Sequence, residues 1–229
     1  MAKRDTLGMV LTGLALLAVG AATFFALGYA PTERVMGDVQ RIFYFHVGIA
    51  WVGGLALFVA FVSSILYLGR GESRTYDIIA LSSVEIGVVF GIMVIASGML
   101  WARPVWNTWW TWDPRLTTTA ITLFIYLAYL MLRGAIDDPQ RRARFAAVYA
   151  IIGFASVPVT FFATRWWNTI HPDLFSQGDF PPLASPMKVA MFVSLFAFTL
   201  VYLVLLRARA RVEQAADEVS LLKQNVLSS

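Results

Sequence analysis

The sequence has no cysteine and little charge, and both shortages restrict what the protein can be. Without cysteine, disulfides, thiolate metal sites, iron–sulfur clusters, cysteine nucleophiles and thioether-linked haem are all excluded. Charged residues make up 14% of the 229 residues, whereas soluble domains average about 25%. Hydrophobic residues make up 59%, more than a globule of this size can keep from water. The sequence therefore predicts an integral membrane protein and excludes a cytosolic enzyme.

Six apolar stretches have the length needed to cross a hydrocarbon core of roughly 30 Å as helices. They are residues 7–29, 43–68, 78–101, 116–132, 145–164 and 189–206. The segments between them are too short to form a second domain. The predicted fold is all-α, a single polytopic membrane domain over residues 1–229 with six transmembrane helices.

Lysine and arginine are divided unequally between the two sides of these spans. One side carries 12 of them and includes both termini, and the other side carries 6. Because Lys- and Arg-rich segments stay in the cytoplasm, both termini are predicted to be cytoplasmic. No phosphate-binding glycine-rich loop is present, so any step driven by ATP has to come from another protein.

The predicted outer face carries the tryptophans and histidines. Both histidines, His46 and His171, lie there, and none of the eight tryptophans belongs to the cytoplasmic side. A belt of anchoring tryptophans is one interpretation, but such belts decorate both interfaces of a membrane. Four tryptophans between positions 106 and 112 are also denser than anchoring requires. The pattern favours an aromatic platform at the outer membrane surface.

The spacing within this tryptophan-rich segment is helical. Trp106, Trp109, Trp110 and Asp113 fall at i, i+3, i+4 and i+7, which is one face of a helix. This spacing predicts a short helix in the interface plane that sets the indoles side by side. Asp113 followed by Pro114 is typical of an N-cap and first helical position, here of the fourth span.

Two histidines on one face suit one kind of metal site. They are 125 residues apart and lack a zinc-type spacing, and two imidazoles are incomplete for tetrahedral zinc. They are complete as the axial pair of a haem iron, whose other four ligands come from the porphyrin. Outer-face arginines are candidates to hold the propionates, although headgroup contact is an equal alternative for each: Arg41, Arg103, Arg115 and Arg165.

Three motifs resemble a known family of haem-handling membrane proteins. Residues 106–117, WNTWWTWDPRLT, resemble the tryptophan-rich WWD signature, and the ending RLT is similar to the CcmC branch of system I cytochrome c maturation. Residues 41–47, RIFYFHV, and 166–171, WWNTIH, agree with that branch in the same order. The likeness covers nearly the whole chain. The sequence departs from the family pattern at Asn107 (usually Gly), Pro114 (usually not proline) and Gly48 (usually Pro).

The resemblance implies a function at the periplasmic face of the bacterial inner membrane. It implies non-covalent haem b with His46 and His171 as axial ligands, and delivery of that haem to the periplasmic chaperone CcmE. The implied partners are CcmE, the small membrane protein CcmD and the ABC-transporter subunits CcmA and CcmB, besides lipid and without nucleic acid. No enzymatic turnover is implied. The implied platform and chaperone-binding residues are Trp106, Trp109, Trp110, Trp112, Asp113 and Arg115, with Arg41, Arg103 and Arg165 as candidate propionate contacts.

Two other functions remain as alternatives. A transporter that moves haem across the inner membrane needs polar or broken-helix features at the midplane, and the spans offer little beyond glycines and Pro158. The larger cytochrome c synthetases are similar around the WWD segment, but they are expected to carry more spans and histidines. Glu85 lies inside the third span, where a carboxylate is a functional candidate by default. We expect it to have a hydrogen-bonded structural role near the cytoplasmic end.

Overall fold

The structure is a computed structural model that describes residues 5–171 and 183–228. A π-helical turn, Phe25–Tyr29, extends the first helix, and a 3-10 turn, Asp38–Arg41, precedes the second. The α-helices of the described residues are α1 Thr6–Phe24, α2 Ile42–Gly69, α3 Arg74–Trp106, α4 Pro114–Gly134, α5 Pro139–Gly153, α6 Ser156–Trp166 and α7 Ser185–Ser228. Six helical stretches are long and apolar enough to cross a membrane, with α5 and α6 together forming the fifth. The predicted all-α fold with six spans is confirmed.

Two of the helices begin in the same way. The Asp113 carboxylate accepts a hydrogen bond from the Leu116 amide at 2.9 Å, and Pro114 occupies the first turn of α4. Asp138 accepts from the Arg141 amide at 2.7 Å, with Pro139 in the first turn of α5. Proline suits this position because its missing amide would have no helical partner there. The predicted N-cap at Asp113 is confirmed.

The fifth span is broken between α5 and α6. Pro158 has no amide hydrogen to donate to the Phe154 carbonyl four residues earlier, as a continuous helix requires. That carbonyl instead accepts from the Val157 amide at 3.0 Å, which tightens the turn at Phe154 and Ala155. The span therefore continues as a second short helix instead of one straight rod.

The centre of the bundle is the contact of α2 with α3 and α7, and small residues allow the close approach. A Cβ added to Gly87 would lie 2.8 Å from Leu57 Cδ2, and one added to Gly48 would lie 2.5 Å from Phe198 Cδ2. A larger residue at Gly48 would displace the Phe198 ring, which explains the glycine at this departure from the family pattern. Outside this centre, large apolar side chains such as Leu17 point outward, as expected of a surface that faces lipid.

The predicted interfacial helix in the tryptophan-rich segment is wrong. α3 continues through Pro104 to Trp106 and ends at Asn107, which adopts a left-handed conformation with φ 54° and ψ 24°. Residues 107–113 then form no helix. The segment lies between a left-handed residue and Asp113, whose helical conformation is disfavoured by the following Pro114. The five residues between Asn107 and Asp113 are too few for a stable helix.

The end of the bundle at the start of α1 is held together by ion pairs and is called the ion-pair end below. Asp5 pairs with Arg207 at 2.6 Å and with Arg211, so the start of α1 lies beside α7 past its apolar stretch. Glu85 pairs with Arg209 at 2.6 Å, which agrees with the expected structural role. That this end faces the cytoplasm stays a prediction.

Candidate functional site

The opposite end of the bundle, called the site end below, brings together the sequence motifs. It comprises the start of α2 with His46, the end of α3 with Ser97, the non-helical residues 107–113, and residues 166–171. These elements come from three separate parts of the chain, because the end of α3 continues directly into residues 107–113. They meet because α2 and α3 are antiparallel neighbours, and because the start of α4 packs against α6.

His46 lies in the second turn of α2 and is held against α3. Its Nδ1 atom lies 2.9 Å from the Ser97 hydroxyl oxygen, and its Cε1 atom would lie 3.3 Å from a Cβ placed on Gly98. Among the described residues, none forms a hydrogen bond with the Nε2 atom. The imidazole is therefore fixed on one nitrogen and available on the other.

A chain of hydrogen bonds ties His171 to the tryptophan-rich segment. The Thr169 hydroxyl donates to the Asp113 carboxylate, and the His171 amide donates to the Thr169 oxygen at 3.1 Å. Asp113 therefore caps α4 with one oxygen and holds the segment before His171 with the other. The charges of His171 and Arg115 both contribute to the electrostatic environment of the His46 imidazole. The two histidines thus lie within electrostatic range of each other, and that both bind one iron stays a prediction.

The indoles of the site end meet edge to face. Trp101 and Trp106 have ring centroids 4.8 Å apart, and Trp110 and Trp112 have centroids 5.5 Å apart with an angle of 82° between their planes. Trp112 is 78% exposed, whereas the Trp110 Nε1 is buried and has no hydrogen-bond partner among the described residues. Trp109 is exposed as well, so the segment presents two open indoles and one unsatisfied indole donor, and the Trp110 and Trp112 rings are not coplanar.

The four candidate arginines differ in what they contact. Arg41 donates to the carbonyls of Ala26 and Leu27, both at 2.8 Å, and to Asp38 at 2.9 Å. It therefore clamps the end of α1 to the start of α2. Arg103 donates to the Asn107 carbonyl at 2.8 Å and fixes the end of α3.

The other two arginines belong to α4 and α6. Arg115 donates to the Thr160 carbonyl and, at 3.0 Å, to the Phe161 carbonyl, which joins the start of α4 to α6. Its charge also acts on the His46 imidazole. Arg165 lies over the Phe162 ring at 5.9 Å. Arg115 is therefore the arginine that the structure relates most directly to the histidine pair.

Asn107 shows why the departure from glycine is compatible with this site. The residue after the last helical turn often adopts a left-handed conformation, for which glycine is the usual choice and asparagine the common substitute. Asn107 has that conformation, and its side-chain oxygen accepts from Arg103. The same turn is therefore made by a different residue.

The donor set fits a haem group. His46 offers an imidazole nitrogen without a partner, His171 lies in the same region, and the Trp110 indole donor is unsatisfied within the described residues. No group of three or more His, Cys, Asp or Glu residues that could hold a metal ion occurs in the described parts of the chain. Two imidazoles suit an iron that already has four porphyrin ligands.

The sequence did not identify two residues of this site, Ser97 and Thr169. Ser97 is separated from His46 by 51 positions, and a lone serine in an apolar span carries no signal. Thr169 lies inside the motif WWNTIH, two residues before a candidate ligand. That position was the only sign in the sequence that Thr169 belongs to the site. Only the folded chain brings Ser97 to His46 and Thr169 to Asp113.

The comparisons with known proteins agree over most of the chain. Residues 1–224 match the family described as CcmC, heme exporter protein C. Heme exporter protein C of Bradyrhizobium diazoefficiens is 36% identical over 201 residues, covering 86% of this chain and 74% of that protein. The protein of the same name from Haemophilus influenzae is 31% identical and covers 90% and 83%. A putative cytochrome c biosynthesis ccmC-like mitochondrial protein of Marchantia polymorpha is 30% identical and covers 82% and 77%. With this match over nearly its full length, the chain belongs to the CcmC family, heme exporter protein C.

Proposed function

We propose that this protein binds haem b at the periplasmic face of the bacterial inner membrane and delivers it to a haem chaperone for cytochrome c maturation. The names of the relatives, heme exporter protein C and ccmC-like cytochrome c biosynthesis protein, support haem handling in that process. The six apolar helices support a multi-pass membrane location. The protein acts as a binding and delivery component and not as an enzyme.

One observation carries the proposal most directly. The His46 imidazole is anchored through Nδ1, and its Nε2 has no partner in the described part of the chain. A ring nitrogen that no described residue engages is available to bind the iron of a haem group. His46 and His171 are the proposed axial ligands, and bound haem supplies the iron and its four equatorial nitrogens.

The remaining site residues orient and present the cofactor. Asp113 and Thr169 hold the segment before His171, and Arg115, which joins α4 to α6, is the proposed propionate contact. The open Trp112 indole suits contact with a partner, since aromatic residues frequently anchor protein interfaces. The proposed platform and chaperone-binding residues are Trp106, Trp109, Trp110, Trp112, Asp113 and Arg115, and the proposed partners are CcmE, CcmD, CcmA and CcmB.

Delivery is tested with two tryptophans of similar exposure. Trp109 is 51% exposed within the proposed platform, and Trp51 is 48% exposed on α2, where its indole donates to Thr199. We expect Trp109→Ala to reduce haem transfer to purified chaperone severalfold, with Trp51→Ala near wild type. Transfer, haem content and protein level are measured together in each variant. If transfer only follows protein level, the tryptophans are membrane anchors.

A liposome assay separates delivery from transport across the bilayer. Purified protein is reconstituted with haemin outside the vesicles and a haem-binding reporter protein inside. We expect no haem flux above that of empty vesicles, because the proposed site lies at one membrane face. Flux that depends on the protein and is lost in His46→Ala would favour the transporter instead.

A further inference from the structure

We propose that Ser97 is a positioning residue that selects the tautomer of His46. Its hydroxyl accepts the Nδ1 hydrogen of the imidazole and so leaves a lone pair on Nε2 for iron. This inference deepens the proposed function and rests on it, because it concerns the same histidine ligand. Ser97 lies on α3 and His46 on α2, so the bond also fixes the ring relative to the neighbouring helix.

The hydrogen-bond partners of Ser97 determine the direction of this bond. Its oxygen lies 2.7 Å from the Met93 carbonyl oxygen and 3.3 Å from the Val94 carbonyl oxygen. A carbonyl only accepts, and a serine hydroxyl has one hydrogen to donate. That hydrogen is committed to the backbone of its own helix. At the 2.9 Å contact with His46, Ser97 must therefore accept, and Nδ1 must carry the hydrogen.

The consequence for Nε2 follows from the chemistry of a neutral imidazole. Such a ring carries a hydrogen on one nitrogen and a lone pair on the other. With the hydrogen on Nδ1, the lone pair lies on Nε2, which no described residue contacts through a hydrogen bond. Histidines that bind metals almost always donate their other ring hydrogen to a protein group, which fixes the tautomer and increases ligand basicity.

Gly98 adds a steric restraint to the same ring. A Cβ on Gly98 would lie 3.3 Å from His46 Cε1 and 3.9 Å from Nδ1, so the ring edge with these atoms packs against the α3 backbone. The Nε2 atom lies farther from that position than either. The serine and the glycine together direct the available nitrogen away from α3.

The protein contains a matched control for this bond. Thr199 donates its hydroxyl hydrogen to the Leu195 carbonyl at 2.7 Å and accepts from the Trp51 indole at 2.9 Å. The arrangement is the same as that of Ser97, with a hydroxyl bonded to its own helix that accepts from a ring on α2. Thr199→Val therefore removes an equivalent bond between helices without touching a histidine.

The first test reads the tautomer directly in the haem-free protein. With only two histidines in the chain, ¹⁵N NMR of histidine-labelled protein resolves each imidazole, assigned by His46→Ala and His171→Ala. We expect His46 to be protonated on Nδ1, and Ser97→Ala to lose that preference while Thr199→Val keeps it. A wild-type His46 protonated on Nε2 overturns the inference, whatever the haem binding shows.

The second test measures the effect on the haem-loaded protein. Removing the hydrogen bond makes the imidazole less basic, so Ser97→Ala should weaken haemin binding about 10- to 100-fold. It should also raise the Fe(III)/Fe(II) midpoint potential, and Ser97→Thr should restore both values. If wild type binds haemin through His46 but Ser97→Ala leaves affinity and potential unchanged, the inference fails and the proposed function stands. If wild type shows no histidine-ligated haem, the proposed function itself fails.

Discussion

The two ends of the bundle use their polar groups in different ways. At the ion-pair end, Arg133 donates to Asp77 at 2.5 and 3.1 Å, and these side chains are only 7% and 4% exposed. At the site end, the His46 Nε2 and the Trp110 Nε1 have no hydrogen-bond partner among the described residues, and Trp112 is open. The comparison indicates that the charges of the ion-pair end serve to join helices, whereas the site end joins helices through its arginines and also leaves two ring nitrogens without a partner among the described residues.

The ion-pair end also joins helices that are distant in sequence. Arg74 at the start of α3 contacts Asp77 of its own helix and Asp217 of α7 at 2.8 Å. Arg133 belongs to α4, so a single carboxylate, Asp77, connects α3 to α4 while Arg74 connects α3 to α7. Breaking this cluster should therefore affect the whole bundle, whereas changes at the site end should affect the ligand.

The largest expected effect comes from removing one partner of the buried pair. Asp77→Ala leaves the Arg133 guanidinium buried without its carboxylate, which typically costs about 3–5 kcal/mol. We expect a large loss of folded protein and a lower unfolding temperature in detergent. In the double variant Asp77→Leu with Arg133→Met, most of the stability should return, because no charge is left unpaired. A double variant as unstable as the single one would contradict this account of the cluster.

Alanine substitutions at two similar helix caps should have effects of intermediate size. They separate the contribution of a cap to stability from its contribution to ligand binding. Asp113 and Asp138 both cap a helix that begins with proline, and replacing either by alanine should cost about 1 kcal/mol. Asp113 also holds Thr169 and the segment before His171. We therefore expect Asp113→Ala to lose at least as much thermal stability as Asp138→Ala, because it also loses the Thr169 bond, and we expect weaker haemin binding from Asp113→Ala alone. Equal haemin affinities in the two variants would show that Asp113 is only a cap.

The six membrane spans could be predicted from the sequence because the features that identify a span are local. Length and apolar composition identify a membrane helix without reference to its neighbours, and the Asp-Pro pair at position 113 predicts its cap in the same way. The interfacial helix was predicted wrongly because the i, i+3, i+4 spacing of the tryptophans was given more weight than two stop signals. Asn107 and Pro114 leave too few residues between them for a helix.

Contacts between residues that are distant in the chain could not be predicted from a single sequence. The Glu85 partner, Arg209, lies past the apolar part of the last helix, and only the packing of α3 against α7 brings them together. The same holds for Ser97 with His46 and for Asp113 with Thr169, since serine, threonine and aspartate have many structural roles. The motifs identified the segments that form the site, but they did not predict which side chains of those segments contact each other.

The smallest expected effect is a pH dependence at the ion-pair end. The hydrogen bond from Arg207, followed by that from the Gly8 amide, lowers the pKa of Asp5 from 3.8 to about 2. Ionised Asp5 therefore contributes stability above pH 3.8 that is lost as the pH falls through about 2. The contribution is small because solvent and salt screen this pair. Unfolding temperatures of wild type and Asp5→Asn between pH 5 and 2 should converge at the acidic limit, and a constant difference would contradict the pairing.

The central claim, that His46 and His171 together hold the haem iron at the site end, is tested most directly by electron paramagnetic resonance of the purified, haem-loaded protein. The account predicts a low-spin ferric signal of two imidazole ligands in wild type. Each of His46→Ala and His171→Ala should lose that signal while the protein stays folded, because the ion-pair end is unchanged. Added imidazole should restore it in both variants. A high-spin signal in wild type, or a low-spin signal that survives either substitution, would contradict the claim.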